Sequence, residues 1–451
     1  MARIPDAVQT LLVSFSKDFA PSVWQRFLSL LTAAVMVHGR RTVWRLIRWS
    51  GDGASGHFSS YHRVFSHRRW SSHSLAKRLA VAVVDRFVAE GVLELAGDDT
   101  VSQHRGEHVY GKGCHRDAVR SSHQHLVHRW GHKWVVLALR VRVVGAALPM
   151  LVALYRTPDE SLKAGVVHKT PPQLMRGLLA IWMRWFPQRK TVFAGDGGFA
   201  SHELAAFASR HSNRLTLVSK FPPDAVLHDP PPHRKPGQNG QPRIVGMRLP
   251  SPRDVVASGT TGKRLTVKWY GGGTRRIEVV TGTAHWYRQG QGLVPLRWIH
   301  VRDLTGGHRD EYFFSTAVRM SVKRIVKSFV GRWDIEVTFE EMREHLGLET
   351  TRGRCRNTVL RVEPCLFCLY TFVVYWFDHL PKQNRETIHV DWAGKTSITF
   401  SDALTSVRYN AWDDYLFPHS TPRTSVEKLT AQTKKQYSTH WRCQPDGKSR
   451  G

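Results

Sequence analysis

The chain has 451 residues, enough for roughly two to four domains and a large buried core. Its 66 Lys and Arg against 36 Asp and Glu leave a formal charge of +30 and a pI near 10.5, a balance that repels cationic partners and draws a phosphate backbone. A hydrophobic share of 41% with 16 Trp excludes a disordered basic tail as the whole molecule, so nucleic acid is the expected partner and a merely basic soluble protein the plain alternative.

Residues 1–90 read as a helical domain. Leu11, Leu12 and Phe15, then Val23, Trp24, Phe27, Leu28 and Leu31, recur at three- and four-residue spacing, and Pro21 suits a helix start. Arginines then interleave with aromatics over Arg40–Trp49 and Tyr61–Trp70. Arg45, Arg48, Arg68 and Arg69 are the expected DNA-backbone contacts there, with a helical bundle bearing a solvated basic face as the alternative. Gly51 to Gly56 fits G-x-G-x-x-G, but it follows a helix-like segment and lacks βαβ flanks, so it reads as a turn.

From residue 91 the pattern becomes α/β. An apolar run ends at Asp98. A polar, histidine-rich stretch follows with His104, His108, His115, His123, His125 and His128. Its irregular spacing suits a phosphate-facing loop better than a zinc site. Two apolar strands, Trp134–Leu139 and Leu148–Leu154, precede a helix over 171–186 opened by Pro171-Pro172. A strand ends at Asp196, Ser201 caps a helix through Arg210, and Leu215–Lys220 forms another strand. This gives a first part of a core over 91–221.

Residues 222–318 read as a β-rich insertion. A Pro- and Gly-rich lead gives way to alternating segments, with Gly271-Gly272-Gly273 as a hairpin turn. Residues 319–420 supply final helices, and 421–451 a basic disordered tail. The pair Cys365 and Cys368 lies in an apolar run with no second cysteine pair, so it reads as a buried helix face rather than zinc ligation. The same run reads as too short and isolated to span a bilayer. The first residues lack the apolar core of a signal peptide, and five cysteines give no disulfide framework, which suits a reducing cytoplasm.

Three acids stand out: Asp98 and Asp196 at strand ends, and Glu336 inside a helical stretch. Two carboxylates at strand ends and one on a helix can converge on a pair of hard divalent cations, which prefer oxygen ligands and can hold both oxygens of a phosphoryl displacement. Asp99 rivals Asp98, and Glu340, Glu341 and Glu344 are alternatives to Glu336. At about 100° per residue, Phe329, Arg332, Glu336 and Arg343 fall within one narrow face of a helix.

In this order and with these motifs, residues 90–380 resemble the bacterial insertion-sequence transposases of the DDE class whose catalytic domain is interrupted by a β-strand insertion. Asp98-Asp99-Thr100 resembles the first family motif, and Asp196-Gly197-Gly198-Phe199 the second. The third, Tyr, two residues, Arg, three residues, Glu, six residues, Lys, is matched by Phe329, Arg332, Glu336 and Arg343. Phe329 lacks the tyrosine hydroxyl, while Arg343 keeps the charge of lysine. The resemblance implies an α/β fold: a ribonuclease H-like catalytic domain with a β-rich insertion and an N-terminal helical domain. It implies catalysis and metal binding by Asp98, Asp196 and Glu336, with two Mg²⁺ ions or Mn²⁺ in their place. Cleavage of DNA at element ends would be followed by joining of 3′-hydroxyl ends to target DNA, by a homodimer on DNA, away from membranes, in a bacterial, nucleoid-associated setting. Arg332 and Arg343 would face phosphates. At least one of Trp286 and Trp298 of the insertion would hold an unstacked base, with filling of the insertion's own small core as the competing reading for each. A metal-dependent nuclease without strand transfer, and an inactive DNA-binding regulator, are the rival functions.

Overall fold

The computed structural model describes residues 4–416 except 52–55, 118–120, 122–124, 142, 234–239, 242, 271–272 and 387–396. The glycine-rich break after Gly51, His123, most of the triglycine turn and the basic tail therefore lie outside the described residues.

Five helices open the chain: α1 (Asp6–Ser16), α2 (Pro21–Met36), α3 (Val43–Ser50), α4 (Ser59–Ser66) and α5 (Ser72–Phe87). Pro21 sits in the first turn of α2, where a missing N–H costs nothing, and Thr42 and Ser71 cap α3 and α5 through their hydroxyls. The apolar stripes of α1 and α2 converge on an aromatic cluster in which Phe27 meets Phe19 and Trp70 at centroid distances of 4.7 and 5.5 Å. The C-terminus of α2 is tied down by the buried Arg41 and the half-buried Arg408. Arg41 donates to the carbonyls of Ala34, Gly39 and Val37, and Arg408 donates to those of Val35 and Val37. They satisfy the carbonyls that a helix end leaves open and complement its dipole.

The core follows as β1 (Leu93–Gln103), β2 (Gly113–Arg116), β3 (His128–Arg140), β4 (Ala147–Tyr155), α6 (Pro158–Lys163), α7 (Pro171–Trp185), β5 (Thr191–Gly195), α8 (His202–Arg210) and β6 (Leu215–Lys220). Strands β1, β5 and β6 pair in parallel, while β3 is antiparallel to both β1 and β4. The resulting order β4-β3-β1-β5-β6 is that of a ribonuclease H-like sheet. Thr170 and Gln173 form a capping box at α7, and Ser201 caps α8. Contrary to the expected end at Asp98, β1 runs on to Gln103. Its polar half still pairs with β3 as far as Gly131, because the backbone ladder needs no apolar side chains.

Residues 222–318 hold β7 (Leu227–His228), β8 (Arg248–Leu249), α9 (Pro252–Ala257), β9 (Lys263–Lys268), β10 (Thr274–Arg288), β11 (Gly292–Asp303) and β12 (Glu311–Ser315). They continue the core sheet: β12 pairs with the free edge of β6, then β11 and β10 follow. An exposed edge of unpaired backbone groups is thereby covered. Apolar side chains pack on each face of this extension. Val280, Leu296, Trp298 and Phe314 join the core shared with α8, while Ile277, Val279, Ile299 and Phe313 pack with Ile325, Val326 and Phe329.

The last helices are α10 (Val322–Val330), α11 (Asp334–His345), α12 (Arg356–His379), α13 (Lys382–Glu386) and α14 (Phe400–Leu416). By length and composition α12 could cross a membrane, so the apolar run is longer than the sequence reading allowed. It serves here as a core helix, packed by β4, α5 and α14. Burial pushes the Cys365 thiol far up and that of Cys368 up to about 12, so both stay as protonated packing groups.

Candidate active site

Two Gly-Asp pairs set the geometry. Gly97 of β1 lies opposite Gly195 of β5 in parallel register, and each is followed by its acid. Asp98 and Asp196 are thus delivered side by side from adjacent strands, which stand about 4.8 Å apart. Glycine is needed at both positions. A Cβ on Gly97 would lie 2.4 Å from the Phe193 ring, and one on Gly195 would lie 2.8 Å from the Phe199 Cβ. Beyond Gly195, the Gly198 N–H donates to Asp196 Oδ1 at 2.9 Å, closing a 3-10 turn over Gly197–Phe199 that aims the carboxylate.

The third acid comes from α11. Arg332, only 6% exposed, donates to Asp98 Oδ2 at 2.6 Å and to Glu336 Oε1 at 2.7 Å. One guanidinium therefore ties the acid of β1 to the acid of α11. The helix around it is interrupted: α10 stops at Val330, a 3-10 turn spans Gly331–Trp333, and α11 begins at Asp334. The face expected through Phe329, Arg332, Glu336 and Arg343 is kept across the 3-10 turn: the Arg332 guanidinium lies over the Phe329 ring at 5.7 Å and pairs with Glu336, while Arg343 reaches Thr100 on the Asp98 face of β1. Phe329 packs in the core, 4.3 Å from the Phe313 ring centroid, where a tyrosine hydroxyl would lack water. Arg140 orients the break by pairing with Asp334 at 3.0 Å and Glu94 at 2.9 Å, and its guanidinium fills the space that a side chain at Gly331 would need. Thr338 then pins α11 to the backbone of Ala147.

Charge is unbalanced here. Burial and the neighbouring Asp196 carboxylate push Asp98 up to about 8, against the pull of Arg332. Arg332 itself is buried, which opposes its charge, yet Asp98 and Glu336 raise its pKa above the ordinary arginine value. Three carboxylates thus crowd one guanidinium, and an all-oxygen donor set short of positive charge suits a hard divalent cation. The alternation of β1 turns Asp99 to the other face, where Lys133 Nζ holds it at 2.9 Å. Glu341 and Glu344 face His345, and Glu340 is exposed to solvent. Asp98, Asp196 and Glu336 are the acids the fold brings together.

Other expected residues fare differently. Arg343 is exposed, on the Asp98 face of β1, and donates to Thr100 Oγ1. Arg45, Arg48, Arg68 and Arg69 are exposed and make no ion pair among the described residues. Arg332 is corrected from a phosphate-facing cation to a buried positioning group. Trp286 and Trp298 are also corrected. Trp298 is 4% exposed, with its ring over Gly282, and Trp286 is wedged between His202, Phe221 and Phe314 at 5.1, 5.3 and 5.7 Å. Both fill the seam where the insertion joins the core, because α8 packs against this side of β11. Trp298→Ala is therefore expected to cost about 3–5 kcal/mol of stability in thermal or denaturant unfolding; a cost under about 1 kcal/mol would contradict that placement. The exposed aromatic beside the acids is instead Trp333, 46% exposed and 5.5 Å from the Tyr270 ring centroid.

The histidine-rich stretch is not one phosphate-facing loop. His108, His125 and His128 are exposed, but His104 and His115 are buried. His104, with His132, reaches a carboxylate absent from the sequence reading, Glu363 of α12, which is 1% exposed. Ser102 and Thr351 also donate to it, at 2.8 and 3.1 Å, as does the Trp134 indole N–H. Burial alone would raise the Glu363 pKa; the hydrogen bonds from His104 and His132, and their charge, overcome it and hold the carboxyl at about 2. His104, His132 and Glu363 are close enough to share an ion. Five donors already saturate the carboxylate, however, and a hydrogen-bonding His–Glu contact is tighter than the roughly 3.3 Å between two ligands of a tetrahedral ion.

No curated protein matches the sequence. A solved cryo-EM structure of a piggyBac transposase synaptic complex with hairpin DNA resembles this fold over 96% of this chain and 81% of that one, at 9% identity and a TM-score of 0.41, a likeness too distant to carry an argument. The family described as DDE superfamily endonuclease matches residues 16–276, a span that includes both Gly-Asp pairs. That match takes in more than half of the sequence, and the chain belongs to the DDE superfamily endonucleases.

Proposed function

We propose that this endonuclease is a transposase. It would nick DNA at the ends of an insertion element and join the freed 3′-hydroxyl to target DNA. The observation that carries the reading is the Gly97–Gly195 register, which sets Asp98 beside Asp196 while Arg332 holds Glu336 against the same pair. In a chain of charge +30, the anionic substrate for such a carboxylate centre is a nucleic acid. The resemblance of the three motifs to insertion-sequence transposases makes that nucleic acid DNA, and adds a homodimer and a bacterial, cytoplasmic, nucleoid-associated setting to the reading.

Asp98, Asp196 and Glu336 would hold two Mg²⁺ ions, with Mn²⁺ able to replace them. When bound, such ions stabilise charge on the phosphoryl oxygens and lower the pKa of attacking water. The chain's part is placement. Arg332 fixes the approach of β1 and α11, the turn after Asp196 aims its carboxylate, and exposed Arg343 offers a fork to a phosphate on the Asp98 face. Trp333 offers an aromatic face next to Glu336, taking the role expected of Trp286 and Trp298.

A divalent cation binding here must displace the proton that Asp98 keeps up to about pH 8. Mg²⁺ affinity is expected to rise with pH until that value, with up to one proton released near neutrality, as read by calorimetry in two buffers of different ionisation heat. In Asp98→Asn the release should vanish. A wild-type affinity that stays flat across this range would remove the assignment.

The functional test is incubation with Mg²⁺ and DNA carrying the inverted repeats that flank the gene, scoring nicked, hairpinned and joined products. Joined product is the expected result. Cutting without joining would leave a metal-dependent nuclease, and no cutting at all would overturn the reading.

A further inference from the structure

A second cationic site lies farther along β1. A cleft of about 270 Å³ is lined by Arg40, Gln103, Arg105, Glu349, Thr350 and Arg352. Three separate parts of the chain build it. Arg40 belongs to the link between α2 and α3. Gln103 is the last residue of β1, the strand that carries Asp98. Glu349, Thr350 and Arg352 belong to the connection from α11, which carries Glu336, to α12.

The walls are fixed. The Arg41 N–H donates to Thr350 Oγ1 at 2.9 Å, and Thr350 in turn donates to the Gly347 carbonyl at 2.7 Å. The buried Arg41 side chain holds the α2–α3 link from beneath. Glu349, the one acid lining the cleft, is shared by Arg129 at 3.7 Å and Arg343 at 3.5 Å. Arg343 also donates to Thr100, so a chain of contacts leads back from the cleft toward Asp98. Arg40, Arg105 and Arg352 are exposed and have no carboxylate partner among the described residues. Three unpaired guanidiniums converging on one cleft repel one another unless an anion enters. Their planar forks suit the two free oxygens of a phosphodiester.

We propose that this cleft grips the backbone of the same DNA duplex whose scissile phosphate lies at Asp98, Asp196 and Glu336, and so couples the N-terminal helices to the cut. The proposal rests on the nuclease reading above. Gln103 lies five residues beyond Asp98 on β1, a rise of about 17 Å. At roughly 3.4 Å per base pair, that places the gripped phosphates about five base pairs from the cut.

Two measurements test it. Binding of the full chain to a linear duplex in Ca²⁺ is titrated against salt for the wild type and for the triple variant Arg40→Gln, Arg105→Gln, Arg352→Gln. Loss of three phosphate contacts should flatten the slope of log K against log salt by about 2–3 units and weaken binding at least tenfold near physiological salt. Uncharged methylphosphonate linkages, placed singly along the duplex, should then weaken wild-type binding about five base pairs from the wild-type cut. That series needs no variant, so it decides the question even if the triple substitution fails to fold. If the wild type binds and cuts while the slope is unchanged, or while methylphosphonates at that distance have no effect, the cleft is not a DNA contact and the nuclease reading stands. If the wild type neither binds nor cuts, both fall.

Discussion

Asp196→Ala is expected to abolish metal-dependent DNA cleavage, with a rate at least about a thousandfold below wild type, while DNA binding stays within a few-fold. The carboxylate lies at the end of β5, where its charge is used at the site and not in the core; its hydrogen bond is to Gly198 of its own turn. Asp98→Ala and Glu336→Ala should match it in cleavage, since phosphoryl transfer of this kind depends on positioning and charge stabilisation by groups that act as one unit. These two variants also leave Arg332 without one of its two partners, so each is paired with Asp98→Asn or Glu336→Gln, which keep the packing. Asp99→Ala is the internal control. Its carboxylate pairs with Lys133 on the opposite face of β1, so cleavage should persist at a substantial fraction of wild type. Loss of cleavage in Asp99→Ala together with near-normal cleavage in Asp98→Asn would reverse the assignment.

The largest stability effect is expected at Glu363, far from the acids in sequence and unconnected with the chemistry. Removing one partner of a buried ionic group costs about 3–5 kcal/mol, because the groups left behind keep their desolvation without their contact. Glu363→Ala would strand five donors from three parts of the chain: Ser102 and His104, His132 and Trp134, and Thr351. Glu363→Gln should be nearly as damaging, since an amide N–H₂ faces donors where an oxygen stood. The pH dependence has a definite sign. The folded carboxyl is held at about 2, below its ordinary value of 4.5. Its contribution is therefore complete above pH 4.5 and declines as the pH falls through this window toward 2. The unfolding free-energy gap between wild type and Glu363→Gln should be constant near neutrality and shrink in acid. A gap that is small at pH 7 would mean that the network contributes little to the fold.

Much of this was legible in the sequence. The apolar runs ending in Gly-Asp mark strands β1 and β5, since a buried parallel strand is apolar on both faces and its register is set locally. Ser201 and Pro171 announce α8 and α7 through local capping chemistry. What escaped was non-local. No spacing rule connects Glu363 to His104, 259 residues away. The insertion looked separate because its alternating strands resemble a free β unit, whereas pairing of β12 with β6 joins it to the core sheet and takes Trp298 into the core. Arg332 looked like a phosphate-facing cation because no spacing rule shows that β1 covers its helix face. Asp98 of β1, 234 residues away, meets it there together with Glu336, while Trp333 stays outside.

The most direct test is a change of ligand at one acid. Cleavage by Asp196→Cys is measured with Mg²⁺ alone and with Mn²⁺ alone, each normalised to the wild type in the same metal. A thiolate is a poor ligand for Mg²⁺ and a better one for the softer Mn²⁺. If Asp196 holds a catalytic cation, the variant should be inactive in Mg²⁺ and recover measurable cleavage in Mn²⁺, while Asp196→Ala recovers in neither. Cleavage by Asp196→Cys at the wild-type rate in Mg²⁺ would contradict the account.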